Sequence, residues 1–261
     1  MSELQALFLG IVQGLTELLP ISSSGHLFIL PWMFKWNSIP EYFDVALHAG
    51  TLLAIAIFFF KDWLKLLGGA YKQVIKKEKN PEGRMFFYLV WATIPSALIG
   101  FILDNYFEDL LAKPLIIAFA LIIMGILLYV FDKKFDSKIK YENMSLKETF
   151  LIGMSQVLAF IPGVSRSGVT MTAARAMKIE RESAARYSFM LSAPVVLGAT
   201  IYKLKDFVFD IPFVIGVLAS FIVGILVIKF LLDYLKKGDF KWFAIYRVVF
   251  GLTIILVYFL R

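Results

Sequence analysis

Glu17, His26 and Arg166 sit in stretches of sequence that are otherwise apolar, and an ionisable group in such a place is a functional candidate until it is paired off. Gln13 and Glu17 are four residues apart, so on a helix both project from one face toward whatever the following Ser22-Ser23-Ser24-Gly25-His26 turn encloses. A carboxylate, a serine cluster and an imidazole near one another are the parts of an activated nucleophile: Ser23 or His26 attacking, with Glu17 and His26 as base and orienter. A second segment, Pro162-Gly163-Val164-Ser165-Arg166-Ser167-Gly168-Val169-Thr170, offers a glycine where backbone can approach closely and hydroxyls on both sides of an arginine. Its residues 165–170 read as the N-terminus of a new helix. Free N–H groups and the positive end of the helix dipole make such a turn an anion site, and the planar fork of Arg166 suits phosphate oxygens. Nucleophile, base and cationic stabiliser are together the parts that phosphoryl transfer requires. A serine-rich turn by itself reads more simply as a capped helix break.

What tips the balance is that the two segments resemble each other. Gly10, Gln13, Pro20 and Ser22-Ser23-Ser24-Gly25 line up with Gly153, Gln156, Pro162 and Ser165-Arg166-Ser167-Gly168 when the second segment is given one residue more after the proline and one fewer before it. Each segment, roughly 4–31 and 147–175, is apolar at both ends and broken in the middle. Unwound polar backbone at membrane depth is tolerated only when buried in protein or lining a wet cavity, so both are expected to be re-entrant helical hairpins.

The elements that must position these turns follow from composition. At 261 residues, 59% hydrophobic with mean hydropathy +0.76, the chain carries more apolar surface than one soluble domain can bury. Six runs are long enough to cross a bilayer, roughly 42–60, 86–103, 114–131, 184–203, 211–233 and 242–260. The expected fold class is therefore an all-α polytopic membrane protein: six full transmembrane helices plus two re-entrant hairpins in a single integral membrane domain. Each copy of the repeat, 1–140 and 141–261, is a hairpin followed by three spans. Three is odd, so the second copy is expected upside down, with the two polar tips meeting near the midplane.

Charge orients this arrangement. Of 27 Lys and Arg, 19 fall in segments 61–84, 132–147, 173–183 and 229–241, whereas Lys35, Lys113, Lys203, Lys205 and Arg261 fall on the other side. Placing the rich side in the cytoplasm puts both termini and the mouth of the first hairpin outside. The net charge of +7 is thus a topology signal rather than a basic face for nucleic acid. A cleavable signal peptide is not expected, because the first apolar run follows Glu3, lacks a basic flank and contains polar residues. The absence of cysteine excludes disulfides, thiolate metal sites and a cysteine nucleophile. His48, beside Ala49-Gly50, reads as a helix-packing histidine, and Arg186 and Arg247 as snorkelling or interhelical pairs. Trp32, Trp36, Trp63, Trp91 and Trp242 lie mostly near span ends, as interfacial anchors do.

The motifs resemble the bacterial undecaprenyl-diphosphate phosphatase family, the bacitracin-resistance integral membrane phosphatases. The likeness is carried by Gln13-Gly14-Leu15-Thr16-Glu17, Pro20 to His26, and the Pro162 to Thr170 motif, and extends to Phe43-Asp44-Val45-Ala46-Leu47-His48-Ala49-Gly50-Thr51 and Glu182 to Ser188. The resemblance implies hydrolysis of undecaprenyl diphosphate to the monophosphate carrier on the outer face of the bacterial inner membrane, serving peptidoglycan and envelope synthesis. By position it implies Glu17, Ser23, His26 and Arg166 as the catalytic set, and Gln13, Ser22, Ser24, Gly163, Ser165, Ser167 and Thr170 around the diphosphate. It also implies dependence on Mg²⁺ or Ca²⁺. Many relatives have glutamate at the position of Gln13, which leaves Glu17 as the metal or proton partner. The implied partners are the polyprenyl diphosphate substrate and membrane lipid, and a homodimer stays open. The alternative reading is a polyprenyl-phosphate transporter, since inverted repeats with broken helices also build secondary carriers.

Overall fold

The computed structural model describes residues 1–103 and 111–261. The connection after the expected span 86–103, residues 104–110, lies outside them. Eleven α-helices occur among the described residues: α1 Glu3–Leu18, α2 Ser23–Phe34, α3 Glu41–Phe58, α4 Phe60–Ile75, α5 Pro81–Leu103, α6 Pro114–Lys134, α7 Leu146–Ser155, α8 Arg166–Ala176, α9 Arg181–Lys203, α10 Ile211–Leu235 and α11 Lys241–Leu260. No strand forms among these residues, and a single backbone bridge joins Ile139 to Ile179. Five helices, α3, α6, α9 (with the turn to Asp206), α10 and α11, are long and apolar enough to cross a bilayer. Rows of exposed large apolar side chains, such as Leu218, Ile222 and Leu226 on α10 or Leu252, Leu256 and Phe259 on α11, face outward. The chain is a multi-pass membrane protein.

Residues 61–84, expected as a charged loop, include α4. Leu64, Leu67, Tyr71, Val74 and Ile75 form an exposed stripe at helical spacing along it. The stripe alternates with Lys61, Lys65, Lys72 and Lys76, and α4 packs back on α5.

Two helix–turn–helix units carry the polar turns. α1 and α2 flank residues 19–22, and α7 and α8 flank a 3₁₀ stretch, Gln156–Phe160, and residues 161–165. Glycines set how closely α1 and α7 pack. A Cβ on Gly10 would fall 2.6 Å from the Gly216 carbonyl oxygen of α10, and one on Gly153 would collide with the Ala92 backbone of α5. Thus α1 lies against α10, while α7 lies against α5. α6 and α11 pack on each other beside both turns.

The four Lys/Arg-rich segments gather at one end of the bundle. Arg186 pairs with Asp62 at 2.5 Å, the interhelical pair expected of it, and its guanidinium also lies over the Phe59 and Tyr141 rings. Lys133 pairs with Asp239 at 2.7 Å, and the Tyr141 amide donates to Ser183 Oγ. Buried Asp132 receives Arg175 Nε at 2.8 Å, Arg181 Nε at 2.7 Å and the Phe240 amide at 3.3 Å. This knot ties α6, α8, α9 and the start of α11 together. At the opposite end, Arg261 Nη1 donates to the Trp32 carbonyl, placing the C-terminus at the mouth of the first hairpin.

Candidate active site

Both turns end in the same local structure. Ser22 and Ser165 hold positive φ, 78° and 74°, and each is the N-cap of the helix that follows. Ser22 Oγ accepts from the Gly25 amide at 3.3 Å, and Ser165 Oγ accepts from the Gly168 amide at 3.0 Å. The first helical residue after each cap is then Ser23 in one turn and Arg166 in the other. These are the positions that the internal alignment equates.

The turns touch. A Cβ on Gly25 would meet the Gly163 Cα at 3.5 Å, and Gly163 itself, at φ +94°, lies so near the Ile117 carbonyl that any side chain would clash. Ser167 Oγ donates to the Glu17 and Leu19 carbonyls at 3.2 and 3.0 Å. Arg247 binds the assembly from behind. Fully buried, it donates from Nη1 to the Pro20 carbonyl at 3.0 Å, from Nη2 to the Gly163 and Val164 carbonyls at 2.9 Å each, and from Nε to Leu121 at 3.2 Å. It is neither snorkelling nor paired with an acid among the described residues: its partners are backbone carbonyls of both turns and of α6.

Glu17, 8% exposed, is the centre of the site. Its Oε1 pairs with Arg166 Nη2, and its Oε2 accepts from Ser23 Oγ at 2.6 Å and from Gln13 Nε2 at 3.3 Å. His48 Nε2 lies 3.4 Å from the same oxygen, while His48 Nδ1 donates to the Asp44 carbonyl at 2.9 Å. The Arg166 Nη1 also reaches the Ser192 carbonyl at 3.4 Å. One carboxylate therefore joins serine, arginine and histidine from three different helices.

These groups open into one cavity of about 280 Å³, which Glu17, Ser23, Ser24, Asp44, His48, Ser165 and Arg166 line on one side. The remaining lining is apolar apart from Ser96, Gln156 and Thr200. The arrangement can deprotonate a hydroxyl, hold an anion against a guanidinium and present two helix N-termini to it.

Of the residues singled out in the sequence, the structure gathers Glu17, Ser23, Arg166, Ser24 and Ser165 at the cavity. Gln13, fully buried, supports Glu17 from behind; Ser22 and Ser167 shape the turns; Gly163 gives the backbone its bend. Thr170 hydroxyl bonds run to the Arg166 and Ser167 carbonyls and to Ser188, inside the protein. His26 does not pair with Glu17. Its ring is stacked against Phe250 at 4.4 Å and Tyr246 at 5.6 Å, with Nδ1 donating to the Ser22 carbonyl at 2.7 Å and Nε2 accepting from the Tyr246 hydroxyl at 2.6 Å. The histidine beside Glu17 is His48. Its signal in the sequence was the Asp44/His48 spacing of four within an apolar span.

A family profile described as bacitracin resistance protein BacA matches residues 6–253. The chain is 48% identical to an undecaprenyl-diphosphatase of Pelotomaculum thermopropionicum over 98% of this chain and 97% of that protein. It is 42% identical to proteins of the same name from Moorella thermoacetica and Desulforudis audaxviator, over the full length of each. With two turns of matching geometry meeting at Glu17, and similarity running along nearly its whole length, the chain belongs to the BacA family.

Proposed function

We propose that the chain is an undecaprenyl-diphosphatase, hydrolysing undecaprenyl diphosphate to the monophosphate and inorganic phosphate, and so conferring bacitracin resistance. The observation that carries this is the Ser23 hydroxyl donating to Glu17 while the same carboxylate holds Arg166 at the cavity wall. In this reading Ser23 Oγ attacks the terminal phosphorus as its proton passes to Glu17, and the bridging P–O bond breaks to release the lipid monophosphate. Arg166 and the amides at the starts of α2 and α8 stabilise the charge on the transferring group. Water then attacks the phosphoserine phosphorus, the P–O bond to Ser23 breaks, and Ser23 recovers its proton. His26 orients α2: both ring nitrogens are already engaged, which favours Ser23 over His26 as nucleophile.

The resemblance also implies Mg²⁺ or Ca²⁺. Among the described residues no three His, Asp or Glu side chains are arranged to hold a metal ion by themselves. Glu17 and Asp44 are two carboxylates on one cavity, however, and the buried Gln13 Oε1 is without a partner. This set fits a hard cation held by one or two carboxylates together with substrate phosphate oxygens. Glu17 and Asp44 would hold it, and when bound it would neutralise diphosphate charge.

Orientation follows the same reading: six spans and two re-entrant hairpins in an inverted repeat, 1–140 and 141–261, the basic end in the cytoplasm of the inner membrane and the site opening outward. Matched serine caps at Ser22 and Ser165, and the reciprocal packing of α1 on α10 and α7 on α5, support it. Release of inorganic phosphate from farnesyl or undecaprenyl diphosphate by the purified protein is the test. Ser23→Ala is expected to lower the rate by about 10³-fold or more. Substantial turnover in Ser23→Ala would reject the mechanism, and lipid monophosphate crossing vesicle bilayers without phosphate release would favour a transporter.

A further inference from the structure

The cavity has a second polar feature that the proposed chemistry does not use. Gln156, 2% exposed, donates from Nε2 to Ser96 Oγ at 2.6 Å, and its Oε1 is buried with no hydrogen-bond partner. Thr200 Oγ1 is likewise buried and without a partner. Both residues line the same cavity as Ser23 and Arg166, with Val195, Val196 and Ala199 beside them. Buried polar atoms are rarely left unmatched, so two in one cavity wall point to a ligand that supplies the missing bonds. Ser96 Oγ gives its own hydrogen to the Thr93 carbonyl at 3.0 Å, one turn back on α5; a hydroxyl rotor that leaves that carbonyl can donate instead, so Ser96 can hold either end of the Gln156 carboxamide. Turned over, the amide presents its NH₂ to an anion.

We propose that Ser96, Gln156 and Thr200 seat the lipid-bound phosphate of a polyprenyl diphosphate, with the first isoprene on Val195, Val196 and Ala199. The identity of the ligand rests on the phosphatase reading. In a diphosphate monoester the terminal phosphate carries more charge than the inner one, and the guanidinium of Arg166 stands beside Ser23, where the terminal group must react. The inner phosphate, with lower charge and a hydrocarbon attached, matches neutral donors set into an apolar wall. The same wall explains the contents of the second hairpin there: where α1 presents Glu17, this hairpin presents Ala159 and Phe160 to the cavity. The substrate is thus fixed in one direction, tail toward α9 and terminal phosphate toward α2.

The test uses the full-length protein in detergent, with Gln156→Leu and Thr200→Val made separately so that a folding failure in one leaves the other. Calorimetry with farnesyl monophosphate is expected to give about tenfold weaker binding in each variant, with a matching rise in KM for farnesyl diphosphate. Competitive inhibition by inorganic phosphate, which the Arg166 side binds, stays within about twofold of wild type and certifies the fold. Weaker phosphate inhibition with unchanged monophosphate binding would overturn the proposal by making the shelf a seat for the departing phosphate. A fall in kcat with KM and monophosphate binding unchanged would overturn it in favour of a water-positioning role, and no change in either variant would end it. If the wild type releases no phosphate, the phosphatase reading fails while the monophosphate titration still reads the shelf.

Discussion

Replacing Arg247 with methionine keeps an unbranched side chain of similar length and removes the clamp behind both turns. Four carbonyls lose a donor, and three of them, Pro20, Gly163 and Val164, belong to the turns rather than to helical ladders. A buried carbonyl left unmatched costs about 1–3 kcal/mol. Relaxation and the removed desolvation cost of the guanidinium favour the low end, giving about 3 kcal/mol of lost stability in total. For a chain of this size each kcal/mol moves the melting temperature by about 2–4 °C, so a drop of about 6–12 °C is expected. The effect on turnover is separable. Ser23 and Arg166 open the helices that these turns lead into, so loosening the turns displaces nucleophile and cation together, and an ångström of misplacement costs about 10²-fold in kcat. Thermal unfolding by intrinsic fluorescence, and phosphate release assayed well below the variant's melting point, read the two effects. Arg247→Lys should recover part of the stability through one or two carbonyls and less of the rate. A methionine variant that melts within about 2 °C of wild type and keeps its kcat would refute the assignment of Arg247 as the brace of the site.

Three further outcomes follow from single contacts. His48→Ala removes the imidazole that steadies Glu17 and should lower kcat by roughly 10–100-fold with a smaller change in KM, read by steady-state phosphate release. Gly153→Ala forces a methyl onto the Ala92 backbone and should cost about 1–3 kcal/mol in thermal unfolding, whereas Gly198→Ala, with nothing near its added Cβ, should leave stability unchanged or raised. Asp132→Asn strips a buried carboxylate from Arg175 and Arg181 and should destabilise by about 3–5 kcal/mol while leaving the KM of the folded fraction near wild type.

The turns were legible because their chemistry is written in side chains and written twice. Serines and glycines at matching spacing mark the breaks at 22–25 and 165–168, and a carboxylate four residues after Gln13 predicts which face of α1 meets them. The convergence of Glu17, Ser23 and Arg166 follows once both turns are brought to one depth. Arg247 was misjudged for a physical reason: its partners are carbonyl oxygens, which every residue carries, so no residue type in the sequence advertises them. His26 and His48 exchanged roles because adjacency along the chain, His26 next to the serines, is a poorer guide on helices than the face a residue occupies. The ring of His26 turns into the α11 aromatics while α3 delivers His48 from elsewhere. α4 was hidden by its lysines, whose density suggested a loop although Leu64, Leu67, Tyr71 and Val74 keep a helical period.

The two turns share a serine cap and differ in the side chains that follow it at the cavity. The first residue after the cap is a hydroxyl in one turn and a guanidinium in the other, and the two are complementary, so each needs its counterpart. Glu17 mediates between them: it accepts a hydrogen bond from Ser23 through one oxygen and anchors Arg166 through the other. A second acid at the matching place of the other hairpin would compete with Glu17 for Arg166 and repel the diphosphate, and Ala159 and Phe160 stand there instead. These differences leave Glu17, Ser23 and Arg166 at one part of the cavity and Val195, Val196 and Ala199, beside Thr200, at another, a lining that suits a molecule with an anionic head and a hydrocarbon tail.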